Sequence, residues 1–234
     1  MRGLLLAALL PLSVFKAAAA TPAEVAVLAT LHRMHDQVPA YSGPVLAQSI
    51  ARLDPQVLCI EVHPDRYAQR APESHKVEYP QTIYPLIDAG QYKVYPMEPG
   101  SPLYEQIGGA YMASWQAFVQ GQPEASAAFS AYTSATYEAL LRYWTSAARV
   151  NDVVTDQQMR AKHALQEALA GEGERAGWQA WNQHFLEVVV RAAQENPGQR
   201  IVVLVDAEHG YWLRERLAGQ PGIHLLDTAA LLAD

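Results

Sequence analysis

The sequence predicts an α/β fold: a mostly parallel sheet of about five strands flanked by helices, with a large helical insertion between strands three and four. Three observations predict it. Five short apolar runs are continuous rather than alternating, the pattern of strands buried on both faces. Helical stretches lie between them, and strand, helix, strand in repeated order means parallel pairing with right-handed crossovers. Between the third and fourth runs, from about residue 101 to 195, there are helical aromatic stripes and no strand signal.

The elements follow in order. "MRGLLLAALLPLSVFKAAAATPAE" has Arg2, an uncharged stretch from Gly3 to Phe15 and small residues before Thr21, the layout of a secretory signal peptide cleaved near Ala20. Pro11 and Lys16 argue against the alternative of a membrane span, which needs roughly 18–20 apolar residues. The runs at 25–31, 56–62, 92–97, 200–206 and 223–227 read as strands. Helices are predicted over Gly43–Leu53, ended by Asp54-Pro55, over Ile83–Ala89, stopped by Gly90, and over Tyr211–Leu217, stopped by Gly219. In the insertion, Phe129, Tyr132, Thr136, Leu140 and Trp144 share one helical face, as do Trp178, Trp181, Phe185 and Val188; core packing is the expected role of both stripes. "GQP" at 121–123 and "GEGERAG" at 171–177 read as turns, and no repeat or linker divides residues 21–234.

Charge narrows the partners. The chain carries 17 basic and 24 acidic side chains, a net −7. Removal of residues 1–20 takes away Arg2 and Lys16, leaving 15 − 24 = −9. That balance disfavours nucleic acid and anionic membrane surfaces, which reward clustered Lys and Arg. The expected partner is a peptide or a small-molecule substrate. The single cysteine, Cys59, has no intrachain disulfide partner and reads as buried strand packing.

In a parallel sheet the residues just past the strands' carboxyl ends gather on one edge, the usual ligand edge of α/β proteins. His32 and His35 follow the first run, Glu61 and His63 close the second, Glu98 follows the third, and Asp206, Glu208 and His209 follow the fourth. Mixed imidazoles and carboxylates form the ligand set of a catalytic divalent metal with an open position. Glu61 is the most telling member, since an ionised carboxylate ending an apolar run is expensive to bury without a cation or donors. There is no GxSxG elbow and no GxxxxGK[ST] loop, and His75, His163, His184 and His224 read as surface residues.

At these residues the chain resembles the TraB/PrgY and TIKI group, within a wider clan that holds erythromycin-esterase-like and ChaN-like proteins. That group has a strand leading into Gly-x-x-His, a second strand ending in Glu and a late strand leading into another Gly-x-x-His. The counterparts are Ala29-Thr30-Leu31-His32, Glu61 in "LDPQVLCIEVHPD", and Asp206-Ala207-Glu208-His209, with "PGIHLLDTAALL" resembling the closing segment. Ala29 and Asp206 stand where the pattern has glycine; Asp206 is a possible additional ligand, and Arg175 and Arg191 are the candidates for the group's basic residue. The resemblance implies a metal-dependent hydrolase of peptide, ester or lactone bonds. His32 and His209 would hold a manganese, cobalt or zinc ion, Glu61 would bind it or act as base, and His35, His63 and Glu208 would orient ligands or substrate. The ChaN-like branch implies the alternative, a periplasmic protein that binds haem or metal without turnover.

Overall fold

The structure, a computed structural model, describes residues 21–73 and 75–233. The expected signal segment, residues 1–20, lies outside them. No helix among the described residues is long and apolar enough to cross a membrane.

Five strands form one all-parallel sheet: β1 (Ala23–Thr30), β2 (Val57–Ile60), β3 (Lys93–Pro96), β4 (Arg200–Asp206) and β5 (Ile223–Leu225), in the order β3-β2-β4-β1-β5. The apolar runs make this possible. Every residue of β2 is buried, as are Val25–Thr30 of β1 and Ile201–Val205 of β4, so successive side chains on opposite faces all meet protein. β1 and β4 pair over their whole length, from Glu24↔Arg200 to Thr30↔Asp206. Each expected strand is present, the second trimmed to its apolar centre because Glu61 and Val62 leave the ladder.

β5 pairs with β1 only as far as Val25. Beyond it the free edge of β1 needs other partners, since unpaired backbone groups in a core cost free energy. Leu226 N–H donates to Val25 O (2.8 Å), Arg214 to Val27 O (2.9 Å), Tyr41 OH to Ala29 O (2.7 Å), and Ala29 N–H donates to Asn151 Oδ1 (2.8 Å). Side chains from both halves of the chain thus replace a sixth strand.

The crossovers are α1 (Gly43–Leu53), α2 (Pro64–Gln69), a π-helical turn at Tyr79–Ile83 running into α3 (Tyr84–Ala89), and α9 (Ala207–Leu217); α10 (Thr228–Leu232) follows the last strand. Asp54 closes α1 in the left-handed conformation (φ 48°). Between β3 and β4 lie α4 (Leu103–Gly121), α5 (Pro123–Tyr143), α6 (Ala147–Val150), α7 (Val153–Ala170) and α8 (Glu172–Glu195). The expected turn at 171–177 is a single residue, Gly171 at φ 84°, while Gly173 and Gly177 lie inside α8. A Cβ on Gly177 would stand 2.7 Å from the Tyr111 ring, so this glycine is what lets α4 and α8 approach.

α8 docks the insertion onto β1 to β4 through Phe185, Val189 and Ala192, all fully buried. Replacing Phe185 with Ala should cost about 3–5 kcal/mol. For a chain of this size that lowers Tm by roughly 6–20 °C in thermal denaturation; a drop under 2 °C would show that α8 is not part of the cooperative core.

Candidate functional site

The carboxyl ends of β1, β2 and β4 lie side by side, and three expected residues meet there. The chain leaves β1 through a short 3₁₀ turn, His32–Asp36, with His32 itself at φ 49°. A non-glycine residue there costs about 1–2 kcal/mol and persists only where other contacts hold it. Here they are the His32 ring's own: Nδ1 donates to Glu78 Oε1 at 2.8 Å, and Nε2 lies 3.3 Å from Asp206 Oδ2 and 3.9 Å from Glu61 Oε1. Burial alone would lower the imidazolium pKa, but Asp206 and Glu78 outweigh it and raise it to about 9, so His32 is a cation at neutral pH.

Glu61 is buried, as expected of a carboxylate ending β2. Its Oε2 accepts the Asp206 N–H at 2.6 Å, and its own N–H is shared between Leu204 O (3.1 Å) and the Tyr79 hydroxyl (2.9 Å). The cation it needs is Lys76, 2% exposed. The Lys76 ammonium donates to Glu61 O (2.8 Å) and to the Glu98 carboxylate, and lies 3.4 Å from Glu61 Oε1 and 3.7 Å from Glu73 Oε2. One cation cannot neutralise three carboxyl groups. Burial pushes Glu61 up, but Lys76, with the imidazoles of His209 and His32, pulls it below the usual carboxylate range. Glu98, buried beside the same ammonium and facing the Glu61 charge, is raised to about 7.

His209 enters from the first turn of α9. Asn182 donates through its amide nitrogen to Trp178 O (2.8 Å), which leaves its oxygen to accept from His209 Nδ1 (2.7 Å). The Nδ1–H tautomer is thereby set and Nε2 keeps its lone pair. Trp178 stacks on the ring (4.6 Å, 17°), Phe185 packs at 5.1 Å, and burial lowers the pKa to about 4 against the pull of Glu61. His209 is therefore neutral at physiological pH. Glu61, Lys76, Glu98 and His209 line one cavity of about 330 Å³, whose other wall is Tyr104, Tyr111, Trp178 and Trp181.

Three expected site residues fall elsewhere. His35 accepts the Leu31 N–H at Nε2 (3.0 Å) and donates from Nδ1 to Tyr41 O (2.6 Å), so both ring nitrogens brace the turn after β1. His63 caps α2 by accepting the Asp65 N–H at 3.2 Å and faces a separate surface pocket with Arg66 and Glu105. Glu208 points into the insertion, against Lys162 (2.6 Å), His163 (3.3 Å) and the Tyr137 hydroxyl. One surface assignment changes: His163 is buried and stacked on Trp178, while His75 is exposed as expected and lines the cavity, edge-on to His32 at 5.4 Å. Arg175 pairs with Glu167 and Glu172, and neither it nor Arg191 lines the cavity; the basic group there is Lys76.

This donor set does not fit a resident divalent ion. Among the described residues no three His, Cys, Asp or Glu side chains are arranged to hold one. Both Glu61 oxygens already face fixed partners, His32 is protonated, and an ammonium stands where the cation belongs. Haem fits no better, because Glu61, Lys76 and Glu98 put charge on the wall that a porphyrin would need to be apolar. Comparison with family models, with curated proteins and with solved structures finds no match to this chain.

Lys76→Met should destabilise the fold by about 3–5 kcal/mol, the penalty for stranding buried carboxylates. Equilibrium denaturation reads this directly, and a loss below 1 kcal/mol would mean that the ammonium is not what holds Glu61. Dialysis against EDTA should leave Tm unchanged; a fall that added zinc or manganese reverses would show a resident ion that these side chains do not account for.

Proposed function

We propose that the cavity is the active site of an exported hydrolase that cleaves an ester, lactone or peptide bond by general acid–base catalysis. The observation that carries this reading is His209: a neutral imidazole in a single tautomer, its lone pair on a cavity that also presents a carboxyl group, Glu98, with a pKa of about 7. Two titratable groups pushed to opposite sides of their work in one cavity define an acid and a base. The motif likeness to the TraB/PrgY and TIKI group directs attention to the same sheet edge, and the signal-like N-terminus supports export.

The roles follow from the charges. His209 Nε2 takes a proton from water as the water oxygen adds to the carbonyl carbon. Asn182 holds the ring, and the ionised Glu61 stabilises the imidazolium that forms. The Lys76 charge favours the developing oxyanion. Glu98 then protonates the leaving oxygen or nitrogen as its bond to carbon breaks; the imidazolium of His209 gives its proton back to solvent and Glu98 takes one up, which restores both groups. His32 does not line this cavity; it holds Glu61 and Asp206 in place from behind.

His209→Ala should lower kcat/KM by 10²–10⁴-fold, the usual contribution of a positioned base, with Tm nearly unchanged. The pH profile has a defined shape. The base works above its pKa of about 4 and the acid works below its pKa of about 7, so kcat/KM on p-nitrophenyl and peptide substrates should be bell-shaped and highest near pH 5–6. Glu98→Gln should reduce the rate and flatten the alkaline limb. A profile that keeps rising beyond pH 8 would remove Glu98 from the acid's role.

A further inference from the structure

The cavity carries more negative charge than its chemistry requires. Around the joined strand ends stand five carboxyl groups, Glu61, Glu73, Glu78, Glu98 and Asp206, the last two raised by burial to about 7 and so carrying only part of a charge, and two cations, Lys76 and His32. Most of these are matched internally. Glu78 and Asp206 face His32, and Glu61 and Glu98 share Lys76. Two carboxylate oxygens here are buried with no hydrogen-bond partner, Glu78 Oε2 and Glu73 Oε1; Glu78 does not line the cavity, whereas Glu73 does, and its Oε2 is a distant 3.7 Å from the shared ammonium. A buried carboxylate oxygen without a partner is costly unless something in the cavity satisfies it.

The facing wall shows what that something is. Tyr104 and Trp181 both line the cavity with ring centroids 5.5 Å apart and planes at 66°, two sides of a corner, and Trp178 and Tyr111 extend the aromatic surface inward. Aromatic faces meeting at steep angles beside a carboxylate form a cage for an ammonium group. The ring quadrupoles attract the charge, and methyl groups on nitrogen bury against the faces. A neutral polar ligand such as a sugar would use the stacking but leave the carboxyl surplus uncompensated. Of the histidines on or behind this cavity, His209 is held neutral by burial, His32 is committed to its own carboxylates, and partial burial together with the charges of His32 and Lys76 lowers the pKa of His75.

We propose that the substrate carries a methylated or protonated amine, bound in the corner of Tyr104 and Trp181 and facing Glu73. This rests on the cavity being the active site, and it adds the specificity element that the acid–base pair lacks. The amine end would sit near the mouth, where Tyr104 is 40% exposed, and the bond to be cleaved would lie inward beside His209.

Binding tests this independently of turnover, because Trp178 and Trp181 report on the cavity by fluorescence. The full chain is titrated with choline and with its neutral isostere 3,3-dimethyl-1-butanol. Choline should bind about tenfold more tightly, and Glu73→Gln should remove that difference without lowering Tm. Trp181→Leu should weaken choline by a similar factor while leaving its salt dependence in place. Equal affinity for the two probes, no choline binding, or a preference unaffected by Glu73→Gln would overturn the inference. Selective choline binding together with an absence of hydrolysis on cationic and neutral esters alike would sustain the amine site and sink the hydrolase. Hydrolysis of neutral esters with no choline preference would do the reverse.

Discussion

The Lys76 ammonium is the interaction on which the strand-end cluster depends. A carboxylate at the end of β2, enclosed by Tyr79, Leu204 and Asp206, is stable as an anion only with a positive charge at contact distance, and Lys76 supplies it. That one charge is shared with Glu98 and Glu73, so burial, helped by the facing Glu61 charge, outweighs its pull and raises Glu98 toward neutrality. The lysine that permits burial of Glu61 thus stands between two carboxyl groups in different states, Glu61 kept ionised by its charge and Glu98 raised by burial in spite of it.

The insertion contributes the other half of the cavity. Asn182, Trp178 and Phe185, all on α8, surround His209 and set its tautomer, its ring plane and its low basicity. α4 closes the cavity with Tyr104 and Tyr111, and it approaches α8 across Gly177. The sheet thus presents the charged groups and the helices present the aromatic ones, with the cavity along the seam.

Much of the fold was legible because burial on both faces leaves continuous apolar runs such as "RIVVLVD", and parallel order then brings His32, Glu61 and His209 to one edge. What could not be read was the identity of their partners. Lys76 sits in a short irregular stretch at 75–77 with no periodicity to mark it as buried, so the sequence does not show that an ammonium stands beside Glu61. His35 and His63 look the same in sequence as His32, yet backbone groups occupy them, which only the path of the turns after β1 and β2 decides. Asn182 is 27 residues from the histidine it orients and follows no motif. The stripe Trp178, Trp181, Phe185, Val188 was predicted as core; Phe185 and Val188 are buried there, whereas Trp178 and Trp181 also face the cavity.

The strand order has a bearing on biosynthesis. β4 is inserted between β1 and β2, so these two early strands have no contact with each other and wait for residues 200–206 to join them. A nascent chain therefore carries β1 unpaired, and β2 with only β3 beside it, until it is almost fully synthesised, and such edges invite intermolecular pairing. The order of synthesis thus leaves apolar strand edges within the first hundred residues open until the last strands arrive.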